Sequence, residues 1–124
     1  KKTNNGYMVF TQNGRINTGR SPMSLVREFQ NHGAGEIVIN SITEDGMMEG
    51  YNLNLFEIIK NEINVPLTVL GGAGSYDDIQ VLFSKVGLIG AGAGSLFVFK
   101  GTYKAVLINY PMGKEKEQLL INYN

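Results

Sequence analysis

The sequence predicts an α/β fold with parallel strands, on three observations. Short apolar runs rich in β-branched residues occur at residues 36 to 42 ("EIVINSI"), at residues 66 to 70 ("PLTVL") and within "GLIGAGAGS" at residues 87 to 95. Helical stretches separate these runs, and strands that alternate with helices pair in parallel through crossovers. The recurrence of roughly 25 to 30 residues is that of the strand-helix units of a (β/α) barrel. Three strands cannot close such a barrel, which needs eight. The chain therefore reads as part of one, incomplete on its own. An open doubly wound sheet is the competitor, but it would carry its glycine loop after its first strand, with an acidic ribose ligand about 20 residues later. Here the glycines follow the last two strands, where a (β/α) barrel builds its phosphate site.

Each element has its own local signal. Residues 7 to 11 lie between Asn-Gly pairs and suggest a hairpin or an ordered excursion. Ser21 as N-cap, Pro22 in the first turn and Gly33 beyond the end frame a helix with Met23, Val26 and Phe29 on one face. The run at 36 to 42 is apolar enough for a strand buried on both faces. Leu55, Ile58, Ile59 and Ile63 have helical spacing within residues 53 to 63, and Pro66 opens the next strand. Ser75 and Asp78 make a capping-box pair ahead of Ile79, Val81, Leu82 and Val86. Residues 102 to 109 predict a last helix, and residues 112 to 124 a polar tail. All 124 residues form one partial barrel domain in this reading.

Composition narrows the partners. Eleven basic residues balance eleven acidic ones, so nothing global attracts nucleic acid or an anionic membrane. No apolar run approaches the roughly 20 residues of a membrane span, and a soluble, cytoplasmic protein is expected. The chain has no cysteine and one histidine, a set that offers no metal constellation, and no cofactor is expected. Lys1 and Lys2 open the chain without an initiator methionine or an apolar signal core, which suggests processing or a cut.

The candidate site residues gather where the predicted strands end. Asn40 to Asp45, Leu70 to Gly74 and Gly92 to Ser95 would share the carboxyl-terminal face of the sheet. Asp45 is a candidate general acid or base, held by a turn with Gly46; it could also be a plain Asp-Gly turn. The backbone of Gly72, Ala73 and Gly74, with Gly94 and the Ser95 hydroxyl, could hold one phosphate monoester, since unpaired N–H groups attract anions. A tight turn without a ligand is the other reading of "GGAGSYDD". Met47 and Met48 suit either loop packing or a substrate wall. His32 fits a helix C-terminal cap better than catalysis. Glu36 stands at the opposite end of the sheet, where a charge is usually just solvated.

Taken together, "GAGEIVINSITEDGMMEGYN", "PLTVLGGAG" and "AGAGSLFVF" resemble the carboxyl-terminal half of the cyclase subunit of imidazole glycerol phosphate synthase, over roughly residues 6 to 110. The resemblance implies strands six to eight of a (β/α)8 TIM barrel with their helices. It implies a subunit that takes ammonia from a glutaminase partner, cleaves a phosphoribulosyl-formimino ribotide and closes an imidazole ring. By the same resemblance Asp45 matches a catalytic aspartate, with Asn40, Gly46 and Met47 in the substrate loop. Gly72, Gly94 and Ser95 match positions around the phosphate, and Glu36 matches a charged gate at the ammonia entrance. A second catalytic aspartate belongs to strand one, so this chain alone should not carry out the full reaction.

The sequence also departs from the pattern. The loop after strand six usually reads Asp-x-Asp-Gly-Thr-x-x-Gly-Tyr-Asp in histidine-pathway members, and here Thr43, Met47 and Asn52 replace its first Asp, its Thr and its last Asp. Leu70 stands where a serine is common. These features and "GTYKAVLINYP" look more like paralogues associated with surface-polysaccharide genes, which the resemblance links to amidination of a sugar. A different class of reading is a non-catalytic phosphate-binding half-barrel that self-associates through its open sheet edges instead of joining an amino-terminal half.

Overall fold

A computed structural model describes residues 1–120. Two small antiparallel hairpins come first. β1 (Lys2–Thr3) pairs with β2 (Gly6–Tyr7), and β3 (Phe10–Thr11) pairs with β4 (Ile16–Asn17). The hairpin or excursion expected at residues 7 to 11 is thus two hairpins, with Tyr7 in the first and Phe10–Thr11 in the second. α1 (Pro22–Asn31) then begins at its Ser21 cap, whose side chain accepts from the Ser24 N–H, and ends at His32. The His32 ring Nδ1 lies 2.8 Å from the Glu28 carbonyl, in keeping with the capping role.

The centre is a three-stranded parallel sheet of β5 (Ile37–Asn40), β6 (Leu67–Leu70) and β7 (Gly90–Ala91), in that spatial order. Its register sets Ile37 beside Leu67, Asn40 beside Leu70 and Val69 beside Ala91. α2 (Leu53–Lys60) links β5 to β6, and α3 (Tyr76–Val86) links β6 to β7. Ile37, Leu67 and Val69 on the sheet join Val26, Leu55, Phe56, Ile59 and Leu82 from the helices in one buried core. Burial of such side chains, at roughly 1.5–3 kcal/mol each, holds the helical layer to the sheet.

The other face of the sheet differs from expectation. β5 is buried on one face only: Ile37 is buried, while its neighbour Val38 is 55% exposed. Successive strand residues point to opposite faces, and all three helices joining the core lie on the Ile37 side.

The carboxyl-terminal segment also corrects the sequence reading. Residues 102 to 109 do not form a helix. A four-residue helix α4 (Ser95–Val98) leads into β8 (Phe99–Lys100), which pairs antiparallel with β9 (Ala105–Val106). Gly101 and Lys104 take positive φ in the turn between them. Beyond the turn, the Leu107 and Asn109 N–H groups donate to the carbonyls of Val98 and Phe97 at 2.9 and 2.8 Å, which extends the pairing. Residues expected as a polar tail contain α5 (Gly113–Leu120), which packs against α3. The last four residues of that expected tail, 121 to 124, lie outside the described residues.

Candidate functional site

The β5 to α2 loop carries Asp45, and backbone geometry fixes it. The N–H groups of Glu44 and Asp45 both donate to the Ser41 carbonyl, at 3.2 and 3.0 Å, making a single tight turn at the end of β5. The Asn40 side-chain amide donates to the Asp45 carboxylate at 3.1 Å. Asn40 thus orients the acid while leaving its other oxygen unengaged by the described residues.

The glycines after β6 have a specific job in this arrangement. Gly72 has φ +113°, and a Cβ there would lie 2.0 Å from the Gly50 carbonyl oxygen; a Cβ on Gly74 would lie 2.2 Å from that of Met48. The Gly50 N–H in turn donates to the Gly72 carbonyl at 2.9 Å. Main chain of one loop therefore rests on main chain of the next, a contact that only glycine permits.

α3 closes its own N-terminus. Asp78 Oδ2 accepts from the N–H groups of Gly74 and Ser75, at 2.9 and 2.8 Å, and the Ser75 hydroxyl accepts from the Asp78 N–H. The capping box is formed as the sequence predicts. It engages the Gly74 N–H with a carboxylate and so removes it from the donors open to a ligand.

The remaining predicted residues meet in one cavity of about 170 Å³. Asn40, Asp45, Gly46, Gly72, Ala73, Gly94 and Ser95 line it, with Leu70 and Gly92. The N–H groups of Gly72 and Ala73 donate to no described residue. A carboxylate that can move a proton and backbone donors that can bind anionic oxygens thus share one small space. Met47 lies outside this cavity, 52% exposed, and borders two neighbouring hollows.

Glu36 sits at the other end of the sheet. It accepts a hydrogen bond from the Thr68 hydroxyl at 2.7 Å on the open face. A larger hollow of about 860 Å³ lies along the free edge of β5, between that strand, α1 and residues 8 to 14, and takes in Glu36, Val38, Asn40 and Asp45.

Two residues that sequence reasoning passed over support the loop. The Tyr51 hydroxyl donates to the Gly92 carbonyl at 2.8 Å, tying the Asp45 loop to the end of β7. Burial, with the charge of Asp78, pushes its phenol up to about 12. Glu44, next to Asp45 in the chain, accepts from Ser41 and Asn52. Neither had a signal in the sequence beyond an aromatic and a charge within a polar loop.

A parallel sheet with helices on one face, and with an acid and glycine turns at its carboxyl ends, is the layout of a (β/α)-barrel protein's catalytic face. The sequence profile of the family described as "Histidine biosynthesis protein" matches residues 1–104. The chain belongs to that TIM-barrel family, in the group of the imidazole glycerol phosphate synthase cyclase subunit HisF and its paralogues. Relatives from Leptospira interrogans and Vibrio vulnificus carry names built on that subunit. The first is 51% identical over 113 residues, covering 91% of this chain and 44% of the relative. The second is 52% identical over 114 residues, covering 92% and 44%. The imidazole glycerol phosphate synthase subunit HisF of Natranaerobius thermophilus is 39% identical over 110 residues, covering 89% and 44%. The chain therefore spans less than half the length of these relatives. Among the described residues, no helix is long and apolar enough to cross a membrane.

Proposed function

We propose that the chain is the carboxyl-terminal part of a (β/α)8 barrel, about strands six to eight, in an ammonia-using synthase subunit. Asp45 transfers protons, and the turns at Gly72–Ala73 and Gly94–Ser95 hold a phosphate of the substrate. The observation that carries this reading is the single cavity these residues share. Glu36 stands at the ammonia entrance, and its place in the same hollow as Asp45 supports a route along the free edge of β5 from a glutaminase partner. The substrate in this reading is the phosphoribulosyl-formimino ribotide of histidine biosynthesis. An amino-terminal half with its own aspartate completes the site.

The test is ammonia-dependent turnover by the complete barrel. Asp45→Asn should abolish formation of imidazole glycerol phosphate while inorganic phosphate binding stays within about tenfold. Retained turnover would remove Asp45 from the mechanism. The exposed Met47 favours a second reading, in which the same ammonia chemistry amidinates a surface-polysaccharide sugar: an apolar side chain stands on the Asp45 loop where the histidine-pathway pattern has a hydroxyl. A folded, phosphate-binding barrel that leaves the ribotide untouched would favour that substrate.

A further inference from the structure

The Asp45 turn is held from behind by a chain of side-chain hydrogen bonds. Ser41, only 1% exposed, donates its hydroxyl to Glu44 Oε2. Glu44 Oε1 accepts from the Asn52 amide at 3.2 Å. Asn52 Oδ1 accepts from the Leu55 N–H at 3.1 Å, capping α2, and from the Tyr7 hydroxyl at 3.0 Å. Each end of the Asn52 amide thus has a fixed direction: its oxygen faces two donors and its nitrogen faces a carboxylate.

We infer that Glu44 and Asn52 are a matched pair of positioning residues that hold the turn carrying Asp45 against α2 and the first hairpin. The inference rests on the catalytic reading of Asp45 only for its effect on turnover. Asn52 must offer an acceptor on one side and a donor on the other, which an amide does and a carboxylate does not. An aspartate at this position would still cap α2 and accept from Tyr7, so the fold survives. Its second oxygen, however, would face the Glu44 carboxylate at hydrogen-bonding distance, and like charges repel. The turn must then open on the Glu44 side, and Asp45 moves with it.

A compensating pair of variants tests this in the complete barrel. Asn52→Asp should raise amide exchange across residues 42 to 50 by roughly tenfold, the factor set by loss of one hydrogen bond of typical net worth. Exchange in β6 and α3 should stay as it was. Where the ribotide is turned over, kcat should fall by roughly tenfold to a hundredfold with KM little changed, since a displacement near 1 Å costs that much. Adding Glu44→Gln should restore both readouts, because the Gln amide can donate to the carboxylate introduced at position 52 and its oxygen can still accept from Ser41. Unchanged exchange in Asn52→Asp, or a double variant no better than the single one, would overturn the pairing. Turnover retained by Asp45→Asn would defeat the catalytic reading instead and leave the exchange result to decide the pair.

Discussion

Substituting Gly72 by alanine separates the two reasons a chain might place glycines after β6. If close approach is the reason, the cost appears in stability. The new Cβ would lie 2.0 Å from the Gly50 oxygen and 2.7 Å from its carbonyl carbon, atoms of the backbone that cannot yield as the end of a flexible side chain would. A φ of +113° adds backbone strain of about 1–3 kcal/mol, and forced overpacking another 1–3, so about 2–6 kcal/mol in total. That is a large part of the roughly 5–15 kcal/mol by which a domain is stable. Gly94 is the control: its φ is −109° and a Cβ there meets nothing within 4 Å, so Gly94→Ala should stay within about 0.5 kcal/mol. Urea unfolding of the two variants, compared at equal m values, reads the difference. If Gly72→Ala lost only phosphate affinity and unfolded with Gly94→Ala, the close-approach argument would be refuted.

Two more outcomes follow from the support around the loop. Tyr51 is held as the neutral phenol, its pKa pushed from the ordinary 10 to about 12. The stability this contributes is complete below pH 10 and is lost as pH rises through about 12, so Tyr51→Phe should flatten the decline of unfolding free energy in that window. A decline of unchanged slope would show that another group drives it. Asp78→Ala removes the acceptor for two N–H groups ahead of α3 and should cost about 1–2 kcal/mol in thermal or urea unfolding. A loss of only a few tenths would mean that water replaces the cap without penalty.

Much of the layout was legible because it rests on local chemistry. Ser21 and Pro22 begin a helix wherever the chain puts them, and the Ser75–Asp78 box forms among residues three apart. Residues 102 to 109 misled because an apolar run alone does not distinguish helix from strand. Val106 and Ile108 are 74% and 80% exposed, and the segment takes its direction from pairing with residues 97 to 100, a tertiary fact. The site divided the same way. Asp45, Gly72, Ala73, Gly94 and Ser95 were brought together because strand ends share one face of a parallel sheet. The partner of Gly74 is not legible, because a capping pattern in the sequence does not show which N–H groups the Asp78 carboxylate occupies. Glu44 was missed because its partners, Ser41 and Asn52, lie on either side of a loop whose path only the fold reveals.

The joint between the Asp45 loop and the glycine turn is made of main chain, and that has a consequence for how such a scaffold changes its chemistry. Gly50 and Met48 meet Gly72 and Gly74 through carbonyls and vacant Cβ positions, so the fit is indifferent to the side chains that the loop turns outward. Met47 and Glu49 are exposed and can be exchanged without loosening the floor beneath them. Structural integrity at this joint is thereby written on main-chain atoms, and the outward side chains of the same short loop can vary while those atoms stay fixed.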